Sequence, residues 1–328
     1  MRNYSVFTAF IILLFYWSGH VLAASFNCNE ASRTQEKFIC ENEDISQLDG
    51  AMAKAYREQM KVLPKYAQSL VQASQRSWLN YWPMNCSAQP GSLKFDANSK
   101  ACVLEAYRAR MSELSAFNSI EGLTTFKVSE YRYLAPKNAD DPPTTHTISF
   151  PQVVAQYLNE GALNGWLAID LNKWRSSLDV HSNTETYIFL SAPNINLLQA
   201  TEVHYFYGHG AAHPITSKVN HYFIPSAARA MNASDFFADN AWTSVVAEFI
   251  FKKLRQKLGD NLQVEMAKEL IPSIRNTANW SISKNAFSLE FNPYEVAPYS
   301  EGFVEVQVPL SLLRPYLTRY ARDTVGSK

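Results

Sequence analysis

The segment Asp44-Ile45-Ser46-Gln47-Leu48-Asp49-Gly50-Ala51-Met52-Ala53-Lys54-Ala55-Tyr56 repeats apolar residues at helical spacing. Ile45, Leu48, Met52 and Tyr56 fall on one stripe, with the small Ala51 and Ala55 beside them, so the segment predicts an amphipathic helix. Working outward, Pro64 separates it from a second helix over about Lys65 to Tyr81 that carries Trp78. A third helix, from about Ser99 to Ala116, carries Val103, Tyr107, Met111 and Leu114 on one stripe. Such a bundle has a modest core, and Cys28, Cys40, Cys86 and Cys102 all lie in or beside it. Four cysteines permit three pairings. Cys28 with Cys40 and Cys86 with Cys102 is favoured because each pair closes a short local loop; the crossed arrangements stay open at this level. No C-x-x-C spacing or nearby histidine points to a metal instead.

Upstream, Arg2 precedes an apolar run from Val6 to Trp17 and then Val21-Leu22-Ala23, the layout of a secretory signal with cleavage after Ala23. Residues 1–23 are therefore expected to be a signal peptide and the protein to be periplasmic or secreted. No later stretch approaches bilayer length, so no stable membrane span is expected after cleavage. The chain carries 30 basic and 30 acidic residues, and losing Arg2 shifts that balance by one charge, which leaves no field to attract nucleic acid. Between residues 24 and 120 the balance is eleven basic to ten acidic, with Glu41, Glu43, Asp44 and Asp49 clustered.

Beyond the last cysteine the pattern changes. Thr125 to Tyr133 reads as a strand, followed by the turn-forming Asn138-Ala139-Asp140-Asp141-Pro142-Pro143. Pro151 stands where a helix can begin, with Val153, Val154, Tyr157 and Leu158 on its apolar face. Thr184 to Leu190, Ala200 to Tyr207 and Val219 to Ile224 are β-branched and aromatic, as strands are. A well-punctuated helix runs from Asn240 through Trp242, Val246, Ile250 and Leu254 to Gly259. Phe287 to Phe291 and Phe303 to Val308 predict strands, and Leu310 to Tyr320 a closing helix. The expectation is two domains: an all-α, disulfide-stapled helical bundle over residues 24–118 and an α+β domain with a mixed or antiparallel sheet over 119–328.

Two resemblances attach to these segments. Ser25-Phe26-Asn27-Cys28, Glu36-Lys37-Phe38-Ile39-Cys40, Leu48-Asp49, Tyr56, Gln75-Arg76-Ser77-Trp78, Cys86, Cys102 and Tyr107 through Arg110 resemble the LprI-type N-terminal domain over about residues 25 to 117. That family comprises small helical periplasmic or envelope domains and takes its name from inhibition of lysozyme. Trp82, followed by Pro83, stands where the family usually has an arginine, which predicts an altered end to the second helix. Asp49, Arg76 and Trp78 are expected to hold the bundle together, Trp78 as core and the two charges as a partly buried pair. Gly208-His209-Gly210-Ala211-Ala212-His213-Pro214 and Phe291-Asn292-Pro293-Tyr294-Glu295-Val296-Ala297-Pro298-Tyr299-Ser300-Glu301-Gly302 resemble the RsiV-type C-terminal domain over about 120 to 322, with one extra residue in the first segment. That family includes the lysozyme-sensing extracellular part of an anti-sigma factor and modules appended to peptidoglycan deacetylases, and it is generally non-catalytic.

His204, His209, His213 and His221 are dense, and Glu290, Glu295 and Glu301 lie nearby, yet no H-E-x-x-H, G-x-S-x-G or phosphate-cradling glycine loop accompanies them. No catalytic residue, metal or cofactor is assigned. The leading expectation is a non-enzymatic binding protein that captures and inhibits a lysozyme-type muramidase. A peptidoglycan- or glycan-binding envelope module is the alternative, and a histidine-dependent cell-wall hydrolase or deacetylase a third.

Overall fold

The computed structural model describes residues 24–326 apart from 90, 117, 137, 139–140, 155–159 and 169–170. The expected signal peptide lies outside them, as do Tyr157 and Leu158.

The helical part consists of α1 (Thr34–Glu41), α2 (Glu43–Val62), α3 (Lys65–Asn85) and α4 (Ala97–Ser115). Asp96 caps α4 by accepting from the backbone of Asn98 and Ser99. The disulfides pair Cys28 with Cys40 and Cys86 with Cys102, across separations of 12 and 16 residues. Loops this short each add about 2–4 kcal/mol to a bundle of modest size. Pro83 falls in the last turn of α3, which runs on to Asn85, four residues past the expected end.

The rest is α+β. The strands β1 (Asn118–Ile120), β2 (Leu123–Leu134) and β3 (Thr144–Val154) precede α5 (Glu160–Leu167) and α6 (Leu171–Ser177), after which come β4 (Ser182–Asn194), β5 (Leu197–Gly208), β6 (Ile215–Ile224) and β7 (Arg229–Ala230). These strands form one seven-stranded sheet in sequence order, antiparallel throughout except for the parallel pair β3–β4. Then follow α7 (Ala233–Phe236), α8 (Trp242–Leu258), α9 (Ile271–Arg275), β8 (Trp280–Ser283), β9 (Ala286–Phe291), β10 (Val304–Val308), α10 (Leu310–Leu313) and α11 (Arg319–Thr324). The last three strands make a separate antiparallel sheet in the order β10-β9-β8.

Two expectations are corrected. Pro151 does not open a helix: it lies in β3, paired with Lys127. Pairing with β4 ends at Ser149, and two residues beyond Pro151 the outward N–H and C=O of Val153 are both held at 2.8 Å by the side-chain amide of Asn164. Pro151 shares that outward side, so its missing donor costs no ladder bond. The expected closing helix is split by a 3-10 turn at Arg314–Tyr316, where Pro315 removes a donor and the Thr318 hydroxyl caps a fresh helix by accepting from Ala321.

Two cores form. In the first, Ile45, Trp78 and Val103 of the bundle are continuous with Val128, Ile148, Phe150 and Ala200 of the large sheet and Leu163 of α5. In the second, Trp242, Val246, Ile250 and Leu254, four apart along α8, pack on Trp280, Phe287 and Leu289, while Tyr222 and Ile224 come from the large sheet.

Long stretches of the large sheet's edges lack a strand partner, and side chains close them. Beyond Thr125, where pairing with β1 ends, the N–H of Ser129 donates to Ser74 Oγ at 3.1 Å and that of Tyr131 to Ser77 Oγ at 3.3 Å, both hydroxyls belonging to α3. At the far edge β7 pairs only with Phe223 and Ile224. There Asn292 accepts from Lys218 N at 2.6 Å and donates to Lys218 O at 3.1 Å. An open edge is a template for unwanted pairing, and these contacts occupy it. Ser74→Ala is expected to improve helix propensity by about 0.5 kcal/mol but to strand the buried Ser129 N–H at a cost of about 1–3 kcal/mol. Net destabilisation of roughly 1–2 kcal/mol should appear as a lower urea midpoint; an unchanged midpoint would contradict the role given to this contact.

Candidate functional site

Most residues of the helical motif do internal work. Asp49 on α2 is 4% exposed; it accepts from Tyr107 Oη at 3.0 Å and from the backbone N–H of Ser25 at 2.6 Å. Burial, and then the Asp49 charge, push the Tyr107 phenol far above its usual range, so it remains a donor. Arg110, also on the interior, donates to Gln75 Oε1 at 3.0 Å and to Glu113 at 2.7 Å, and Tyr131 of β2 donates to the same Glu113 carboxylate. Trp78 meets Tyr107 edge-on, with ring centroids 5.0 Å apart. Leu48 and Tyr56 pack against this core half-buried. Trp82, in the position of the family's usual arginine, is buried among Trp78, Phe95 and Tyr107.

Arg76 is the exception. The expected Asp49–Arg76 pair does not form, because Asp49 is satisfied by Tyr107 and Ser25 while Arg76 is exposed on α3. Among the described residues Arg76 makes no hydrogen bond or ion pair. It stands between two clefts. The first, of 400 Å³, is lined by Phe26, Asp49, Leu79 and Trp82 among others. The second, of 330 Å³, lies between α3, the open edge of β2 and α6.

In the second cleft Glu130, its side chain 8% exposed, binds Arg175 through two guanidinium nitrogens and Arg132 at 2.6 Å. Burial pushes the Glu130 acid upward, but Arg175 and Arg132 together outweigh it and hold the carboxyl below its ordinary range. None of these three residues stood out in the sequence. Arg175 lies 45 positions from Glu130, and no periodicity links them.

In the α+β part the two signature segments meet. The His213 ring stacks on Tyr299 with centroids 4.1 Å apart, and the Tyr294 hydroxyl lies 3.4 Å from His213 Nε2. Asn292 ties the second segment to β6, and Glu295 accepts from Asn292 N at 2.6 Å. Gly210 (φ +86°) and Gly302 (φ +64°) occupy conformations that L side chains resist, but Tyr294 holds φ +71° while 53% exposed. A bulky residue kept in that region is strained, and strain of this kind gathers at functional sites. The Pro214 carbonyl accepts from His213 Nδ1 at 3.0 Å, and Pro298 leads into the turn carrying Tyr299.

Of the four histidines, three take separate partners, and the ring Nε2 of His209 is buried without a hydrogen-bond partner among the described residues. His204 pairs with Thr186, His221 with Glu202 and His213 with the tyrosines. Glu290 binds Lys218 and Asn220, and Glu301 binds Asn261. Among the described residues no group of three or more His, Cys, Asp or Glu is placed to hold a metal ion.

Residues 28–114 match the family model described as lysozyme inhibitor LprI. Residues 234–311 match a second model, described as a protein of unknown function, DUF3298. Among solved structures, a DUF3298 family member from Bacteroides fragilis NCTC 9343 is similar at 15% identity and a TM-score of 0.49, covering 64% of this chain and all of that one. A DUF3298 family protein from Pseudomonas aeruginosa PAO1 is similar at 13% identity and a TM-score of 0.45, covering 61% of this chain and 96% of its own. No curated protein matches the chain.

The Glu130 cluster carries a pH dependence. Because its folded-state acid is held below the unfolded value of about 4.3, the cluster's contribution is complete above that value and lost as pH falls through the folded one. Glu130→Gln should cost about 1–2 kcal/mol at pH 7, a figure reduced for the partial exposure of both arginines. The variant's stability should also fall less steeply than the parent's below about pH 4.5. Parallel curves in acid urea titrations would remove Glu130 as the source.

Proposed function

We propose that this protein is a non-enzymatic, extracytoplasmic binding protein that captures and inhibits a lysozyme-type muramidase. The carrying observation is the match of residues 28–114 to a family of lysozyme inhibitors, stapled by two disulfides of the kind that persist outside a reducing cytoplasm. No helix among the described residues is long and apolar enough to cross a membrane. The division at about residue 118, with an RsiV-type second half, belongs to the same reading and would place two lysozyme-linked units in one chain.

Within the matched segment, Leu48, Asp49, Tyr56, Gln75, Trp78, Tyr107 and Arg110 are occupied in the interior, which leaves Arg76 as the motif residue free for an external partner. Muramidases cleave between paired carboxylates, and a projecting guanidinium complements such a pair by charge and geometry. In the second half, the strained and exposed Tyr294 is the corresponding candidate. Because the helical half is nearly neutral, fit at the contact rather than long-range attraction would set the affinity.

Calorimetry of the chain from Ala24 onward with a c-type lysozyme, beside a muramidase assay, tests this. Binding at micromolar affinity or tighter is expected, with inhibition in the same range. Arg76→Ala should weaken it at least tenfold, and Tyr294→Ala reports whether the second half contributes. Absence of binding at high micromolar concentration would end the proposal.

A further inference from the structure

The cleft between α3, β2 and α6 assembles more positive charge than it neutralises. Arg76, Arg132 and Arg175 line it against the single carboxylate of Glu130. Arg175 is fully engaged, its third nitrogen donating to Asn172 at 3.0 Å, whereas Arg132 is 43% exposed with its contacts confined to Glu130, and Arg76 has no partner among the described residues. The single Glu130 carboxylate balances only one of the three guanidinium charges, and an oxyanion relieves the remaining repulsion through bidentate hydrogen bonds.

Two further features describe the rest of the ligand. Tyr133 lines the same cleft, while its hydroxyl is shielded from solvent beside Gly91. Tyr81 and Tyr131 form an aromatic wall, with ring centroids 5.4 Å apart. A volume of 330 Å³ admits a molecule the size of a sugar rather than a bare ion. Charge, volume and flat aromatic surface together specify an anion carried on a sugar-sized ring.

We propose that this cleft binds a sugar bearing a carboxylate, with Arg132 and Arg76 on the carboxylate and the tyrosines against the ring. The site shares Arg76 with the muramidase contact proposed above but extends past it, since Arg132 and Arg175 lie outside the segment that matches the inhibitor family. Its occupant is a small saccharide that needs no protein partner.

The test is binding of N-acetylmuramic acid to the chain from Ala24 onward, measured by ligand-observed NMR without any muramidase. N-acetylglucosamine and lactate serve as the neutral-sugar and bare-carboxylate arms. N-acetylmuramic acid should bind at least tenfold more tightly than either. Affinity should fall at least fivefold in Arg132→Gln and again in Arg76→Gln. Arg76 is exposed and unpaired among the described residues, so its loss leaves the thermal melt in place, whereas Arg132→Gln lowers it modestly through the Glu130 pair. Equal binding of N-acetylglucosamine would refute the role of charge, and equal binding of lactate that of the ring. No binding, or binding indifferent to both variants, would overturn the site, whatever the outcome with lysozyme.

Discussion

A β-sheet has two edges, and this one leaves long stretches of both without a strand. Everything else in the fold is arranged around that exposure. The hydroxyls of Ser74 and Ser77 sit three residues apart on α3, so that one helix face meets alternate outward N–H groups of β2. Asn164 does the same for β3 where β4 has departed, and Asn292 for β6, each amide serving one residue's donor and acceptor together. The contacts are individually modest. Their placement nonetheless decides where the bundle, α5 and the small sheet dock.

That arrangement ties the two candidate regions to the edges. The Arg110–Glu113–Tyr131 chain runs from the interior of the bundle to β2, and the arginine cleft opens beside the same strand. At the far edge, the asparagine that closes β6 lies two residues before the strained Tyr294. Surfaces able to meet a partner thus stand directly upon the seams that complete the sheet.

How much of this was legible in the sequence depended on the range of the signal. The bundle helices repeat apolar residues every three or four positions, and the disulfides close loops of 12 and 16 residues, so local pattern sufficed for both. Thr144 to Val154 was missed as a strand, because Pro151 resembles a helix start unless one knows that β4 has already left. Pro315 broke the closing helix for a reason visible beforehand, although the apolar stripe over Leu310 to Tyr320 masked it. In the sites, the signature segments could be quoted but not joined: His213 and Tyr294 stand 81 residues apart. Of the arginine cleft only Arg76 lay in a quoted motif, and nothing local joined it to Glu130, Arg132 and Arg175, since they come from a strand edge and a second helix.

The disulfides have a consequence for how the chain acquires its shape. Both link cysteines that are consecutive along the chain, the first with the second and the third with the fourth. Oxidation of the thiols in the order in which they occur along the chain would produce this set directly, with no mispaired species for an isomerase to repair. The stapled helices would then be waiting when β2 arrives, its bare edge covered as soon as it is made.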